Sequence, residues 1–409
     1  MTIPARGSRL EEAFSLRRNV RALWTRHADA HAHVDGMRAL AVLWVIGYHA
    51  FAFIGRPLRH SAYEPLFRIV NRGLLGVDVF FVLSGFLIGS MLLREHAAGG
   101  RIGFRRFYFR RAMRILPAYY FSLAVYCAVI GKNVETIWAN LLFVNNFIPD
   151  ARQCMSWAWS LAIEEQFYIV FPLMLAVAFT LTLVRVRVAF FIVLFALSVA
   201  VRIAIVARHG LHMPGPEHAR LLYDTLYDKP QARFGELLCG VIVAYAFGST
   251  KAPEVFRRSP RLALAGTMVS LVCIAGISVV EQPFFKYGLP PSINFGYYAL
   301  SSVAFAASVA YVLFACLCRA GGGRLLGGLL ARKPHFPISQ LSYSAYLLHM
   351  IVIVVGLDVG AFHPAETVPA MCAYLVVVPV VTLLASAPMY LFVEKPLMNL
   401  RERWRPVRA

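Results

Sequence analysis

Long apolar runs recur from residue 37 to residue 393, separated by short polar segments rich in arginine. Ten of them are long enough to cross a hydrocarbon core of roughly 30 Å as helices. They cover residues 37–55, 73–93, 112–131, 158–180, 186–207, 232–248, 261–280, 296–318, 337–358 and 368–393. Residues 136–148 are also apolar but too short to cross, which predicts an interfacial or re-entrant segment. Residues 181–187 form a tight connection, so the fourth and fifth spans make a close hairpin. No repeat of 20–50 residues is visible, and the two halves share no matching Gly/Pro-broken spans of the kind common in inverted-repeat transporters.

The positions of the basic residues orient this array. With the N-terminus inside, the inner connecting segments hold 28 Lys and Arg and the outer ones hold 10. That excess predicts that both termini are cytosolic. The expected layout is a cytosolic Arg-rich arm (1–34), a polytopic membrane domain (35–397) and a short basic tail (398–409). The arm is polar and lacks a short apolar core with a small-residue cleavage site, so the first span is expected to remain as an anchor.

Composition agrees with the pattern. The chain is 59% hydrophobic and only 15% charged, against about half and about a quarter in soluble domains. The fold class is therefore an all-α integral membrane protein. The net charge of +20 is explained by topology, so nucleic acid is not expected as a partner; membrane lipid is. Of seven cysteines, all but Cys154 fall inside apolar runs, where cysteine acts as a small hydrophobe. Cys316 and Cys318 have the wrong spacing for a zinc pair, and no metal site is expected.

Ionisable residues inside spans are costly and point to function. Arg38 and His49 are eleven residues apart, three turns, and so share one face of the first span. Arg38 is expected at the cytosolic mouth, where it also serves as a topological anchor, and His49 in the outer half. Asp78 falls at a similar depth in the second span, which predicts that it meets His49 and orients the imidazole. Ser84-Gly85 in the same span, a further candidate pair, permits close helix approach, which is also its plain explanation. Glu164 and Glu165 lie near the outer end of the fourth span, about 100° apart around the helix, so only one enters a given cavity. His349 lies in the ninth span. Arg233 and Glu236 sit one turn apart in the sixth, with mutual pairing as the plain alternative.

On the cytosolic side, Arg110 and Arg114, and Arg111 and Arg114, share a helical face. Guanidinium groups suit bidentate phosphate binding, and attraction to anionic lipid is the competing explanation. A cationic mouth with a His/carboxylate group deeper in the membrane suits a phosphate-bearing donor and an uncharged hydroxyl acceptor arriving from opposite sides. The rival class is a transporter or flippase using the same His and carboxylates as a proton relay.

These residues carry a resemblance. Arg38-X10-His49, GVDVFFVLSGFLI (76–88), RRAMRILPAYY (110–120), SLAIEEQFY (160–168), YSAYLLH (343–349) and VEKP (393–396) occur in the order of the acyltransferase-3 family. That family of membrane O-acyltransferases includes bacterial O-antigen, exopolysaccharide and Nod-factor acetylases and macrolide acylases. The resemblance implies acetyl-CoA or another acyl-CoA as co-substrate, a carbohydrate or glycolipid acceptor, and residence in the bacterial inner membrane. It also implies that His49 is the central catalytic residue, with Arg38 its companion and Arg111 and Arg114 in the donor region. His49 would act as general base or acyl relay, with Asp78 or Glu164 holding its tautomer. Many members carry a C-terminal esterase-like domain; this sequence ends sixteen residues after its last span, which leaves room for a separate extracytoplasmic partner enzyme.

Overall fold

The computed structural model describes residues 11–26, 31–59, 61–99, 102–181, 183–212, 218–280 and 290–403. Among them there is no β-strand, and ten helices are long and apolar enough to cross a membrane. These are α1 (Ala32–Phe53), α2 (Leu75–Gly99), α3 (Phe104–Val129), α4 (Trp159–Thr180) and α5 (Val184–Arg208), followed by α6 (Pro230–Ser249), α7 (Pro260–Val279), α8 (Pro291–Cys318), α9 (His335–Asp358) and α10 (Val368–Met389). Each coincides with one of the apolar runs to within several residues at the ends where they differ, because in lipid a backbone must satisfy its own hydrogen bonds and an unbroken helix does so. Prolines open α6, α7 and α8, at the position where a missing N–H costs nothing. Residues 136–148 form only a five-residue helix, Ile137–Leu141, and a 3₁₀ turn, Asn145–Phe147, too short to cross.

The chain divides into two compact units, each built from separated stretches of sequence. The first comprises Met1–Pro65, Gly103–Gly131 and Leu330–Ala409, and so holds α1, α3, α9 and α10. In it α9 packs along α1, α10 and α3. The glycine at 36 permits close contact: a Cβ there would lie 2.1 Å from the carbonyl oxygen of Leu330. Beside it Asp35 takes an ion pair from Arg26 at 2.8 Å and a hydrogen bond from Ser339. After α10 the helix passes through a π turn, Tyr390–Glu394, into the helix Lys395–Arg403, which packs on α3.

The second unit comprises Leu66–Ile102 and Lys132–Leu329, with α2 and α4 to α8. Helix α6 is its centre, touching α2, α4, α5 and α8. Its contact with α2 is the most extensive in the unit, because glycines face backbone on both sides. A Cβ at Gly85 would stand 1.9 Å from the Leu237 carbonyl oxygen, and one at Gly240 would stand 1.9 Å from that of Val82. Of the two readings of Ser84-Gly85, close helix approach is the role Gly85 fills.

Candidate active site

In the first unit, α1 and α9 run side by side in the same direction, and their polar residues meet at a nearly constant offset. Asp35 meets Ser339, Arg38 meets Ser342, and His49 meets His349. Ser339, Ser342 and His349 recur at helical spacing, so one face of α9 reads out one face of α1. Nη2 of Arg38 donates to Oγ of Ser342 at 3.0 Å, and that hydroxyl donates to the Ser339 carbonyl at 2.8 Å.

The histidine pair has one consistent arrangement of protons. Nδ1 of His349 lies 2.6 Å from the Tyr346 carbonyl oxygen, which can only accept, so Nδ1 carries the proton and Nε2 a lone pair. That lone pair faces Nδ1 of His49 at 3.2 Å. His49 Nδ1 is also 2.9 Å from the Val45 carbonyl oxygen, so it too is protonated. The neutral His49 ring therefore keeps its lone pair on Nε2. His349 is completely buried, while His49 is half-buried. A ring oriented through one nitrogen with the other available is the arrangement a general base or a nucleophile requires.

The carboxylates expected beside His49 have other partners. Asp78 of α2 is held by Arg233 at 3.1 Å, and Arg233 also pairs with Glu236 at 3.2 Å. Glu164 accepts from Ser84 at 2.8 Å and from Tyr168 at 2.5 Å, so of the two adjacent glutamates Glu164 is the one turned toward Ser84 of α2. Glu165 is half-buried on α4. Within the second unit Asp78 is thus paired through charge, as a buried carboxylate favours a guanidinium on the packed helix. Within the first unit the tautomer of His49 is held by His349 and the Val45 carbonyl.

At the Arg38 end, residues appear that the sequence pattern did not single out. Glu394 is buried in the π turn, accepts from the buried Ser344 at 2.8 Å, and lies in the field of Arg114, Arg38 and Lys395. The available signal was VEKP, a glutamate at the end of an apolar run, and π turns are frequent at functional sites. Helix α3 already begins at Phe104, so Arg105, Arg106, Arg110, Arg111 and Arg114 are all helical. Arg110, Arg111 and Arg114 are half-buried on it, and Nη1 of Arg401 reaches the Arg110 carbonyl at 3.4 Å. Tyr343 of α9 donates to the Ile115 carbonyl at 3.0 Å, fixing α3 against α9 beside Arg114. Among the described residues no group of His, Cys, Asp and Glu is placed to hold a metal ion.

The acyltransferase domain family matches residues 31–388, a stretch that holds α1 to α9 and all but the last residue of α10. The chain belongs to the acyltransferase-3 family. It is 30% identical over 399 residues to the putative peptidoglycan O-acetyltransferase YrhL of Bacillus subtilis, covering 91% of this chain and 56% of that protein. It is 27% identical over 385 residues to the O-acetyltransferase OatA of Staphylococcus aureus, covering 89% and 56%. A third relative is the nose resistant to fluoxetine protein 6 of Caenorhabditis elegans, at 24% over 371 residues, covering 78% and 44%. The chain thus spans about half the length of the curated relatives it matches. No solved structure matches it.

Proposed function

We propose that this member of the family is a membrane O-acyltransferase that moves an acyl group, most simply acetyl, from acyl-CoA to a carbohydrate or glycolipid hydroxyl. The observation that carries the reading is the His49–His349 pair, which leaves Nε2 of His49 with its lone pair. In direct transfer, that lone pair takes the proton of the acceptor hydroxyl. The oxygen attacks the thioester carbonyl, the C–S bond breaks, and the thiolate recovers the proton. In a relay, Nε2 attacks the thioester itself and the C–S bond breaks to release the thiolate; the acceptor oxygen then displaces the imidazole, and its proton neutralises the thiolate. In both, positive charge grows on His49 and is stabilised through Nδ1–H by His349 and the Val45 carbonyl. Family membership favours this over the transporter reading, in which the same groups relay protons.

The array would lie in the bacterial inner membrane with both termini in the cytosol, because the inner segments hold 28 basic residues against 10 outside. A reporter fused after Ala409 should be active only when it is of the cytosolic kind; activity from an external reporter would reverse the orientation. Arg38, Arg111 and Arg114, with Arg110 beside them, would then meet the donor's phosphates from the cytosol, about 16 Å along α1 from His49 at 1.5 Å per residue. Replacing Arg111 and Arg114 together with Gln should weaken acyl-CoA binding by about tenfold or more, the scale of losing charged hydrogen bonds. Unchanged acyl-CoA affinity in purified protein would remove both from the donor site. Mass spectrometry of surface glycans from cells with and without the gene tests the reaction itself. An acyl mass difference is the expected result, and identical glycans together with no acyl-CoA turnover by the purified protein would reject it.

A further inference from the structure

The second unit contains a buried group of charges to which the reaction above assigns no role. Arg72, Asp78, Arg202 and Arg233 line a cavity of about 60 Å³, together with Tyr227 and Tyr297. Glu236 backs it, 3.2 Å from Arg233 and 3.9 Å from Arg202. All three arginines are buried: Arg233 is 1% exposed, Arg202 4% and Arg72 9%. A guanidinium stays charged in any protein environment. Three guanidiniums against two carboxylates leave one positive charge over, even with both carboxylates ionised. A buried charge without a counter-charge is costly, and an anion entering the cavity removes that cost.

The donors are arranged with capacity to spare. Arg202 is committed, giving hydrogen bonds to the Tyr298 and Ala232 carbonyls and to Ser302. Arg233 is only partly so. Nη2 and Nη1 pair with Asp78 at 3.1 Å and Glu236 at 3.2 Å, while Nε has no hydrogen-bond partner. The rings of Phe81, Trp159 and Tyr227 also surround the guanidinium, 5.4 to 5.7 Å away. Arg72 spends Nε on the Ile277 carbonyl and stacks over Tyr297 at 5.8 Å. A cavity with a surplus guanidinium charge and an unpartnered Nε–H on a buried arginine suits an oxygen anion.

We propose that this cavity is a binding site for a single oxyanion group, a carboxylate or phosphate, borne by an acidic carbohydrate. The volume suits the oxyanion and not a sugar ring, so the ring would remain outside the cavity. The assignment of the anion to a carbohydrate rests on the acyltransferase reading, whose acceptor it would specify as acidic. The oxyanion site itself rests only on the charge surplus and the unpartnered Nε of Arg233.

Trp159 lies over the Arg233 guanidinium and serves as reporter. Purified full-length protein in detergent is titrated with glucuronate, glucose and inorganic phosphate while tryptophan emission is read, and Trp159→Phe identifies the signal from that ring. The expected result is a saturable response to glucuronate with none to glucose. Arg72→Gln should weaken glucuronate by about tenfold or more, the scale of one charged hydrogen bond. Arg72→Lys, which keeps the charge, should recover part of that loss. Both variants must melt at the wild-type temperature, which is expected because Arg72 stands outside the Asp78–Arg233–Glu236 pairing. No saturable response, or equal responses to glucose and glucuronate, overturns the site. Phosphate saturating below glucuronate overturns the carbohydrate as source. Acyl-CoA turnover measured on the same preparations separates the two readings. Turnover without oxyanion binding rejects the site alone, and oxyanion binding without turnover rejects the reaction alone.

Discussion

Replacing His49 by Gln should lower acyl transfer by about 10²–10⁴-fold, the usual contribution of a positioned general base, while the folded protein still binds acyl-CoA. Glutamine keeps a hydrogen-bond donor on the same face of α1 but cannot take a proton or carry an acyl group. The phosphate contacts assigned to the arginines lie three turns along the helix, so donor affinity should hold. His49→Ala should behave alike, with a modest further loss of stability. His349→Gln should act through His49, because its only assigned task is to hold the tautomer through the 3.2 Å contact. Combining the two substitutions should cost little more than His49→Gln alone, since residues that act as a unit are not additive. Near-normal turnover by a well-folded His49→Gln variant would remove the catalytic assignment. Additive losses would separate His349 from His49.

Alanine at Gly85 or Gly240 should be strongly damaging to the second unit. At both sites the new Cβ would fall 1.9 Å from a carbonyl oxygen, and backbone cannot swing aside as a side-chain end can. Helices α2 and α6 would have to separate along their whole contact. Overpacking of this kind costs about 1–3 kcal/mol and sometimes more, and here it would also spread Asp78 from Arg233. Thermal melting in detergent should show a drop of several degrees or a loss of folded protein for each variant. Gly248 is the control: it lies on α6 too, but a Cβ there meets nothing within 4 Å. Gly248→Ala should be neutral or stabilising, as for glycine in any exposed helix position. Equal melting temperatures for all three variants would contradict the packing described for α2 and α6.

The candidate site was partly legible. Arg38 and His49 could be placed on one face because helical periodicity is local, and the structure sets both against α9. The pairing of Arg233 with Glu236 was legible for the same reason, being one turn apart. The partners found within each unit, His349 for His49 and Arg233 for Asp78, were not legible, because depth in a span says nothing about rotation around the helix axis. His349, three hundred residues away, was visible as a polar residue in a span, but its partner was not. Arg202, inside the fifth apolar run, is buried and gives hydrogen bonds to two carbonyls and a serine.

By itself the sequence determined the ten crossing helices, their approximate limits, the short segment that does not cross, and the ionisable residues worth watching. Those features arise from interactions within about twenty residues: hydrophobic length against bilayer thickness, and the need of each segment to satisfy its own backbone. Tertiary structure alone decided which helix faces meet, and therefore the parallel reading of α1 against α9, the glycine contact of α2 with α6, the recruitment of Glu394 to the Arg38 end, and the surplus positive charge around Arg233. Lipid-exposed and protein-facing sides of such helices are almost equally apolar, so the pattern along the chain carries little record of rotation. That rotation is fixed by close packing of small residues and by the pairing of buried charges, both of which join residues far apart in sequence.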